Sequence, residues 1–326
     1  MANLNGSIFS DVVVDTLGND TIKTFGGDDY IYGGFGNDVI SGGSGFDTID
    51  YSFLGQGISL NTGSFVSKGT AGFDSLFSVE NIIGAFDQIN TIDGSLGDSG
   101  LVSLTVDLSI NSLTINDIFG LGTLSFVVQN FIDVIGTSQG DTIIGDFQNN
   151  VLDGWGGDDY IFGGDGNDQI LGFTGNDTLD GSTGSDSLFG EAGNDTLFGG
   201  SNNDALFGGS GSDFLAGESG NDVLVGYGFD LSEYDVLSGG SGADVFALGD
   251  TANVYYQGYG YATITDFNFL EGDKIQVAGG IGNYSLSAQS FSGGLALDTL
   301  IYFGSDLIGV VEDNTNVVPA FDFVTA

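Results

Sequence analysis

The stretch Gly163-Gly-Asp-Gly-Asn-Asp-Gln-Ile-Leu171 decides the fold, because Gly208-Gly-Ser-Gly-Ser-Asp-Phe-Leu-Ala216 repeats its pattern in register. From Gly136 to Val225 the chain divides into ten consecutive nonapeptides of the form G-x-x-G-x-D-x-U-x, with U a large aliphatic residue. The sixth position holds Asp141, Asn150, Asp159, Asp168, Asp177, Asp186, Asp195, Asp204, Asp213 and Asp222. The eighth holds Ile143, Leu152, Ile161, Ile170, Leu179, Leu188, Leu197, Leu206, Leu215 and Leu224. A shorter array occupies Asp15 to Asp50, with Asp20, Asp29, Asp38 and Asp47 at the sixth position. After Val225, a four-residue insertion near Tyr227-Gly-Phe-Asp230 precedes two more copies, centred on Asp235 and Asp244.

This period dictates geometry. A three-residue strand x-U-x turns its middle side chain to one face, since strand side chains alternate. The six preceding residues must turn the chain, and glycine at the first and fourth positions permits positive φ there. Two nonapeptides then close one coil of 18 residues, and coils stack at about 4.8 Å, the parallel-strand spacing. The U residues fill a thin aliphatic interior, while the sixth-position carboxylates form vertical rows.

Two carboxylates about 5 Å apart repel by roughly 1 kcal/mol even in bulk water, and by more in a dehydrated turn. A hard divalent cation between coils reverses that sign. Calcium takes six to eight oxygens at about 2.3–2.6 Å, whereas magnesium demands tight octahedral geometry and keeps its waters. The period pairs Asp20–Asp38, Asp29–Asp47, Asp141–Asp159, Asp159–Asp177, Asp177–Asp195, Asp195–Asp213, Asp168–Asp186, Asp186–Asp204 and Asp204–Asp222. Asp213–Asp235 and Asp222–Asp244 join them if the insertion loops outward. The expected load is about nine to eleven calcium ions on this stacking logic. Asn150 interrupts one row and Asn202 replaces a fourth-position glycine, so both places should bind more weakly. The alternative is a calcium-free solenoid with solvated aspartates in its turns.

The pattern resembles the RTX (repeat-in-toxin) calcium-binding nonapeptide, over roughly half of the chain. The resemblance implies an all-β protein, a parallel β-roll or β-solenoid of 18-residue coils. The expected organisation is an N-terminal cap strand over 1–14, a short calcium β-roll over 15–50, a non-repeat solenoid-like segment over 51–135, a long calcium β-roll over 136–247 and a β C-terminal cap over 248–326. Within 51–135, Leu101-Val-Ser-Leu-Thr-Val-Asp-Leu108 and Leu124-Ser-Phe-Val-Val128 read as strands. Val79-Glu-Asn-Ile-Ile-Gly84 and Phe131-Ile-Asp-Val-Ile-Gly136 resemble phrases that lie between repeat arrays in the family. By that analogy the segment continues the solenoid in wider coils; an inserted sandwich is the other possibility. Ala262-Thr-Ile-Thr-Asp-Phe-Asn-Phe-Leu-Glu-Gly-Asp-Lys-Ile-Gln-Val277 is similar to the segment after the last repeat of exported relatives. The end, Val317-Val-Pro-Ala-Phe-Asp-Phe-Val-Thr-Ala326, resembles their uncleaved export signal, and equally suits a β cap closing the solenoid. With no basic, apolar leader over Met1 to Val14, the resemblance implies one-step export by an ABC-type transporter and an extracellular or cell-surface location.

Composition narrows the function. The chain has 326 residues, 39 Asp and 6 Glu against Lys23, Lys68 and Lys274, no Arg, no His and no Cys, for a net charge of −42. No basic surface can neutralise phosphates, which excludes nucleic acid. No imidazole or thiol exists for catalysis, zinc, haem or disulfides. No apolar run reaches the roughly 18 residues of a membrane span. The zinc-protease H-E-x-x-H and the lipase G-x-S-x-G are both missing. The expectation is therefore a non-enzyme: a secreted calcium-binding structural protein that self-assembles as a surface layer (S-layer), sheath or filament. The second reading is a calcium-dependent adhesin that binds a cell-surface polysaccharide through Tyr255-Tyr-Gln-Gly-Tyr-Gly-Tyr261. Outward ninth positions collect Leu171, Phe189, Phe207 and Val225 on one face, and Phe162, Asp180, Phe198 and Ala216 on the other. The first row is an apolar stripe suited to self-association, or to shielding the strands beneath it.

Overall fold

A computed structural model describes residues 1–95, 102–117, 123–228, 232–291, 296–314 and 316–326. The chain forms two compact units, Met1–Trp155 and Gly156–Ala326, so the boundary falls inside the stretch 136–247. Both units are built from parallel strands in two ladders, with short antiparallel excursions.

In the second unit the ladder runs at a fixed step. Tyr160–Asp165, Thr178–Thr183, Thr196–Ser201 and Phe214–Ser219 pair in parallel along one side. Gln169–Thr174, Ser187–Ala192, Ala205–Ser210 and Val223–Tyr227 do so along the other. Each residue faces the one 18 positions on, as in Ile170↔Leu188 and Leu188↔Leu206. These strands are longer than the expected three residues. The first three turn positions also stack in register, so Phe173 faces Glu191 and Thr174 faces Ala192. The eighth-position side chains from Ile161 to Leu224 are fully buried, and Leu237 and Phe246 continue that core.

Fourth-position glycines serve packing as well as conformation, with Asn202 one exception at φ +81°. At Gly193 φ is +145°, and a Cβ there would lie 1.5 Å from the Gly175 carbonyl oxygen one coil away. Any side chain would separate the coils.

Past the repeats, parallel pairing continues from Tyr234–Ser238 to Tyr261–Ile264 and from Val245–Ala247 to Lys274–Val277. Tyr284–Gln289, Asp298–Phe303 and Asp306–Val311 form an antiparallel meander whose last strand rejoins Tyr261–Ile264 in parallel. The final segment is folded into this cap. Phe323–Thr325 pairs with Lys274–Val277 after a single helical turn, Pro319–Asp322, and Phe323 is buried.

In the first unit the 18-residue step begins immediately. Residues 1–14 form two strands rather than one, Asn3–Asn5 and Val12–Val14, paired with Thr21–Lys23 and Tyr30–Tyr32. Through 51–135 the ladder persists in wider coils: Asp38–Ser41 pairs with Phe73–Phe77, Thr48–Asp50 with Asn81–Ile83, and Ser59–Asn61 with Thr91–Asp93. The extra length is taken up by antiparallel strands at Phe65–Ser67 and at Ser112–Asp117. This is a continued solenoid with hairpin excursions, not a sandwich. The strand read from Leu101 begins at Val102 among the described residues, Leu101 itself lying outside them.

Candidate metal centre

Each sixth-position aspartate sits where its turn re-enters a strand, and the coil stacking fixes its two oxygens differently. Asp20, Asp29, Asp38, Asp47, Asp141, Asp159, Asp168, Asp177, Asp186, Asp195, Asp204, Asp213, Asp222, Asp235 and Asp244 are all at most 3% exposed. One oxygen, Oδ1, is tied to the neighbouring coil. The backbone N–H of Asp159, Asp168, Asp177, Asp186, Asp195 and Asp204 donates to Oδ1 of the aspartate 18 residues on, at 2.7–2.8 Å. Asp20 and Asp29 donate likewise to Asp38 and Asp47 at 2.7 and 2.9 Å. The insertion does not break the row: Asp213 donates to Asp235 and Asp222 to Asp244, both at 2.9 Å. Phe229, Asp230 and Leu231 of that insertion lie outside the described residues. Asp141 and Asp159 belong to different units.

The second oxygen has no such partner. Oδ2 of Asp29, Asp47, Asp177, Asp186, Asp195, Asp204, Asp213, Asp222 and Asp244 is buried and accepts no hydrogen bond. At Asp47, Asp177, Asp186, Asp195, Asp204 and Asp222 it faces the α-carbon of a first-position glycine, where a main-chain oxygen also converges. A Cβ on Gly190 would meet Asp195 Oδ2 at 2.4 Å and the Gly208 carbonyl oxygen at 2.5 Å; on Gly217 it would meet Asp222 Oδ2 and the Gly239 oxygen. The glycine is what leaves room at this corner.

A buried carboxylate oxygen with nothing to accept from is costly. Burial pushes the carboxyls of Asp177, Asp186, Asp195, Asp235 and Asp244 up to about 6, those of Asp204 and Asp222 to about 7, and that of Asp213 to about 8. The backbone N–H on Oδ1 opposes the rise and does not cancel it. Such corners call for a proton or a cation. Their donors are all hard oxygens, carboxylate and carbonyl, which is calcium's ligand chemistry; cysteine and histidine are absent from the sequence. Calcium fits. It would be held by the aspartate carboxylates with the glycine-turn carbonyls, and would supply the positive charge these corners lack.

Other buried positions of the rows are satisfied by protein donors. Thr16 Oγ1 donates to Asp20 Oδ2, Tyr51 to Asp74 Oδ2 at 2.6 Å, Tyr256 to Asp235 Oδ2 at 2.5 Å, and the Asn268 N–H to Asp273 Oδ2 at 2.7 Å. Asn150 Nδ2 donates to the Ile132 carbonyl at 2.6 Å, which an aspartate could not do. The Tyr255–Tyr261 loop is largely committed to this work: Tyr256 is 1% exposed, Tyr255 stacks on Tyr227, Tyr261 packs edge-on against Tyr234, and Tyr259 alone of the four is exposed.

Sequence spacing missed three acidic members. Asp74 Oδ1 accepts the Asp38 N–H at 3.2 Å and Asp273 Oδ1 accepts the Asp244 N–H at 3.0 Å. Asp15, Asp20 and Asp38 bring carboxylate oxygens within 4.8 Å of one another, and burial pushes Asp15 up to about 7. The signal was present in two of them: Asp74-Ser-Leu76 and Asp273-Lys-Ile275 keep the D-x-U triplet without its glycines.

The chain belongs to the RTX calcium-binding nonapeptide-repeat family, which matches residues 5–40, 16–49, 135–170, 171–206, 198–230 and 231–255, together just over half its length. Repeats of this family bind calcium, and proteins that carry them are typically secreted. Comparison with curated proteins gives no match. Among solved structures, the crystal structure of the extracellular lipase LipA from Serratia marcescens is similar at 14% identity and a TM-score of 0.23, covering 94% of this chain and 40% of the lipase. This chain thus spans well under half the length of that enzyme, and a likeness at that score carries nothing further. Among the described residues no helix is long and apolar enough to cross a membrane.

Proposed function

We propose that this protein is a secreted calcium-dependent structural protein, and that its fifteen sixth-position aspartates hold about nine to eleven calcium ions. The observation that carries this reading is the row of buried carboxylate oxygens with no hydrogen-bond partner, repeated coil after coil. Extracellular modules bind calcium at about 10⁻⁴–10⁻³ M, so the ladder would stay open inside a cell and close outside it. Binding free energy is then folding free energy, and export by an ABC-type transporter would carry an unfolded chain.

The role is structural rather than enzymatic. The dense carboxylates are all placed in the ladder, and self-assembly as a surface layer, sheath or fibre is supported by the ninth-position stripe. Leu171, Phe189, Phe207 and Val225 face one another in successive coils and are half-buried, and Phe189 and Phe207 stack at 4.9 Å between centroids. Calcium lowers the charge that otherwise keeps copies apart, so stripe and ion act together. Electron microscopy with and without calcium tests this. Ordered polymers only with calcium, lost in the double variant Phe189→Ser/Phe207→Ser, support it. A persistent monomer retained on polysaccharide beads would favour the adhesin, whose tyrosine loop is mostly packed.

A further inference from the structure

Lys68 is one of three lysines in a chain of −42 net charge, yet it is wholly buried. It leaves the strand Phe65–Ser67, the antiparallel excursion inserted where the ladder widens from 18-residue coils to the 36-residue step between Asp38 and Asp74. Its ammonium has three N–H donors and meets three oxygens: Asp38 Oδ2 at 3.0 Å, Asp74 Oδ1 at 2.5 Å and the Gly34 carbonyl at 2.8 Å. Those are a sixth-position carboxylate, the carboxylate one coil on and a turn carbonyl, the same kinds of oxygen as at the corners elsewhere. Gly34 is a second turn position of the same coil, whereas those corners use a first-position glycine of the next. At Asp29, Asp47 and from Asp177 to Asp222 the sixth-position Oδ2 accepts no hydrogen bond, whereas on Asp38 it accepts from Lys68. The Tyr51 ring lies 5.9 Å from the same ammonium, and the Tyr51 hydroxyl closes the remaining oxygen of Asp74.

We infer that Lys68 is a tethered cation occupying a calcium place: the Asp38–Asp74 corner is closed by the chain's own ammonium and takes no metal ion. This rests on the calcium reading of the other corners. The purpose follows from position. An 18-residue coil fixes its own register, but a 36-residue step leaves many alternatives, and a covalently attached charge selects one of them at any calcium concentration. A free ion would serve that corner only after the wide coil had already closed.

The experiment is calcium counting and localisation on the full chain. Native mass spectrometry in saturating calcium should find one more ion per chain in Lys68→Ala than in the wild type, because the variant exposes two carboxylates and leaves room for an ion. A folded Lys68→Ala protein with the wild-type count or fewer overturns the inference. If that variant does not fold at any calcium concentration, anomalous diffraction from wild-type crystals grown in calcium decides. Peaks along Asp177–Asp195–Asp213 with none between Asp38 and Asp74 support the tethered cation, and a peak between Asp38 and Asp74 overturns it. Absence of peaks from every corner would instead refute the calcium reading.

Discussion

Withdrawing calcium at pH 7.5 should melt the repeat ladder of Gly156–Ala326, and acidifying the calcium-free protein to about pH 5 should restore it. The magnitude follows from the carboxyls. Asp177, Asp186, Asp195, Asp235 and Asp244 stand near 6 against an ordinary 3.8, which is about 3 kcal/mol for each one forced to ionise in the fold. Asp204, Asp222 and Asp213 stand higher still, at about 7, 7 and 8. Even discounted severalfold for relaxation, eight such terms rival the roughly 5–15 kcal/mol of net stability a domain has. The direction is the reverse of ordinary acid denaturation. A folded-state value above the unfolded one means that the metal-free fold binds more protons, so its stability is fullest below about pH 4 and is lost as pH rises through 6 to 8. Calcium replaces those protons, so the calcium concentration needed to fold the chain should fall as pH falls over the same range, while the concentration needed to displace protons from the folded corners rises. Far-UV circular dichroism and hydrogen exchange in metal-free buffers from pH 8 to 4.5, against the same series in 5 mM calcium, read both effects. Undiminished β content at pH 8 without calcium would refute the reasoning, and so would a metal-free protein that loses structure on going from pH 8 to 5.

Three substitutions probe the scaffold at saturating calcium, each read by urea unfolding. Gly193→Ala places a methyl 1.5 Å from the Gly175 oxygen at a φ of +145°, and should cost about 3 kcal/mol or more. Leu206→Ala empties a fully buried eighth position and should cost about 2–5 kcal/mol; a loss below 1 kcal/mol would mean that the interior is not close-packed. Glu191→Gly relieves an exposed residue held at φ +73° and removes one negative charge, so it should stabilise by up to about 1 kcal/mol, and a destabilised variant would contradict that account.

How far the sequence revealed all this depended on whether the count of 18 survived. Between Asp159 and Asp222 every coil is two nonapeptides, so the aspartate pairs, the core leucines and the facing of Phe189 on Phe207 could be read by arithmetic. The insertion after Val225 changed the count to 22 without disturbing the pairs. Where a coil grows to 36 or 29 residues, arithmetic fails, and Asp74 and Asp273 were legible only as D-x-U triplets without glycines. Lys68 left no local signal. Its partners lie 30 residues before it and 6 after, and only the hairpin that carries it into the corner brings them together.

The structure separates two ways of treating the same electrostatic problem. At Asp20, Asp38, Asp74, Asp235 and Asp273 the second carboxylate oxygen is closed by a hydroxyl, an ammonium or a backbone N–H. In the wide coils, Asn90 stands where a repeat would have aspartate, and its Nδ2 donates to the Ala85 and Asn130 carbonyls. Those aspartates carry a donor of their own on that oxygen. In the regular arrays the oxygen is left bare at Asp29, Asp47 and from Asp177 to Asp222. A chain that satisfies such a group in some places and leaves it open through its repeats is what the proposed dependence on an ion predicts. The bare oxygens recur through the regular repeats and at their borders, at Asp47, Asp213, Asp222 and Asp244, where one geometry is repeated for an ion to exploit, whereas Asp74, Asn90 and Asp273 of the irregular coils have protein partners of their own.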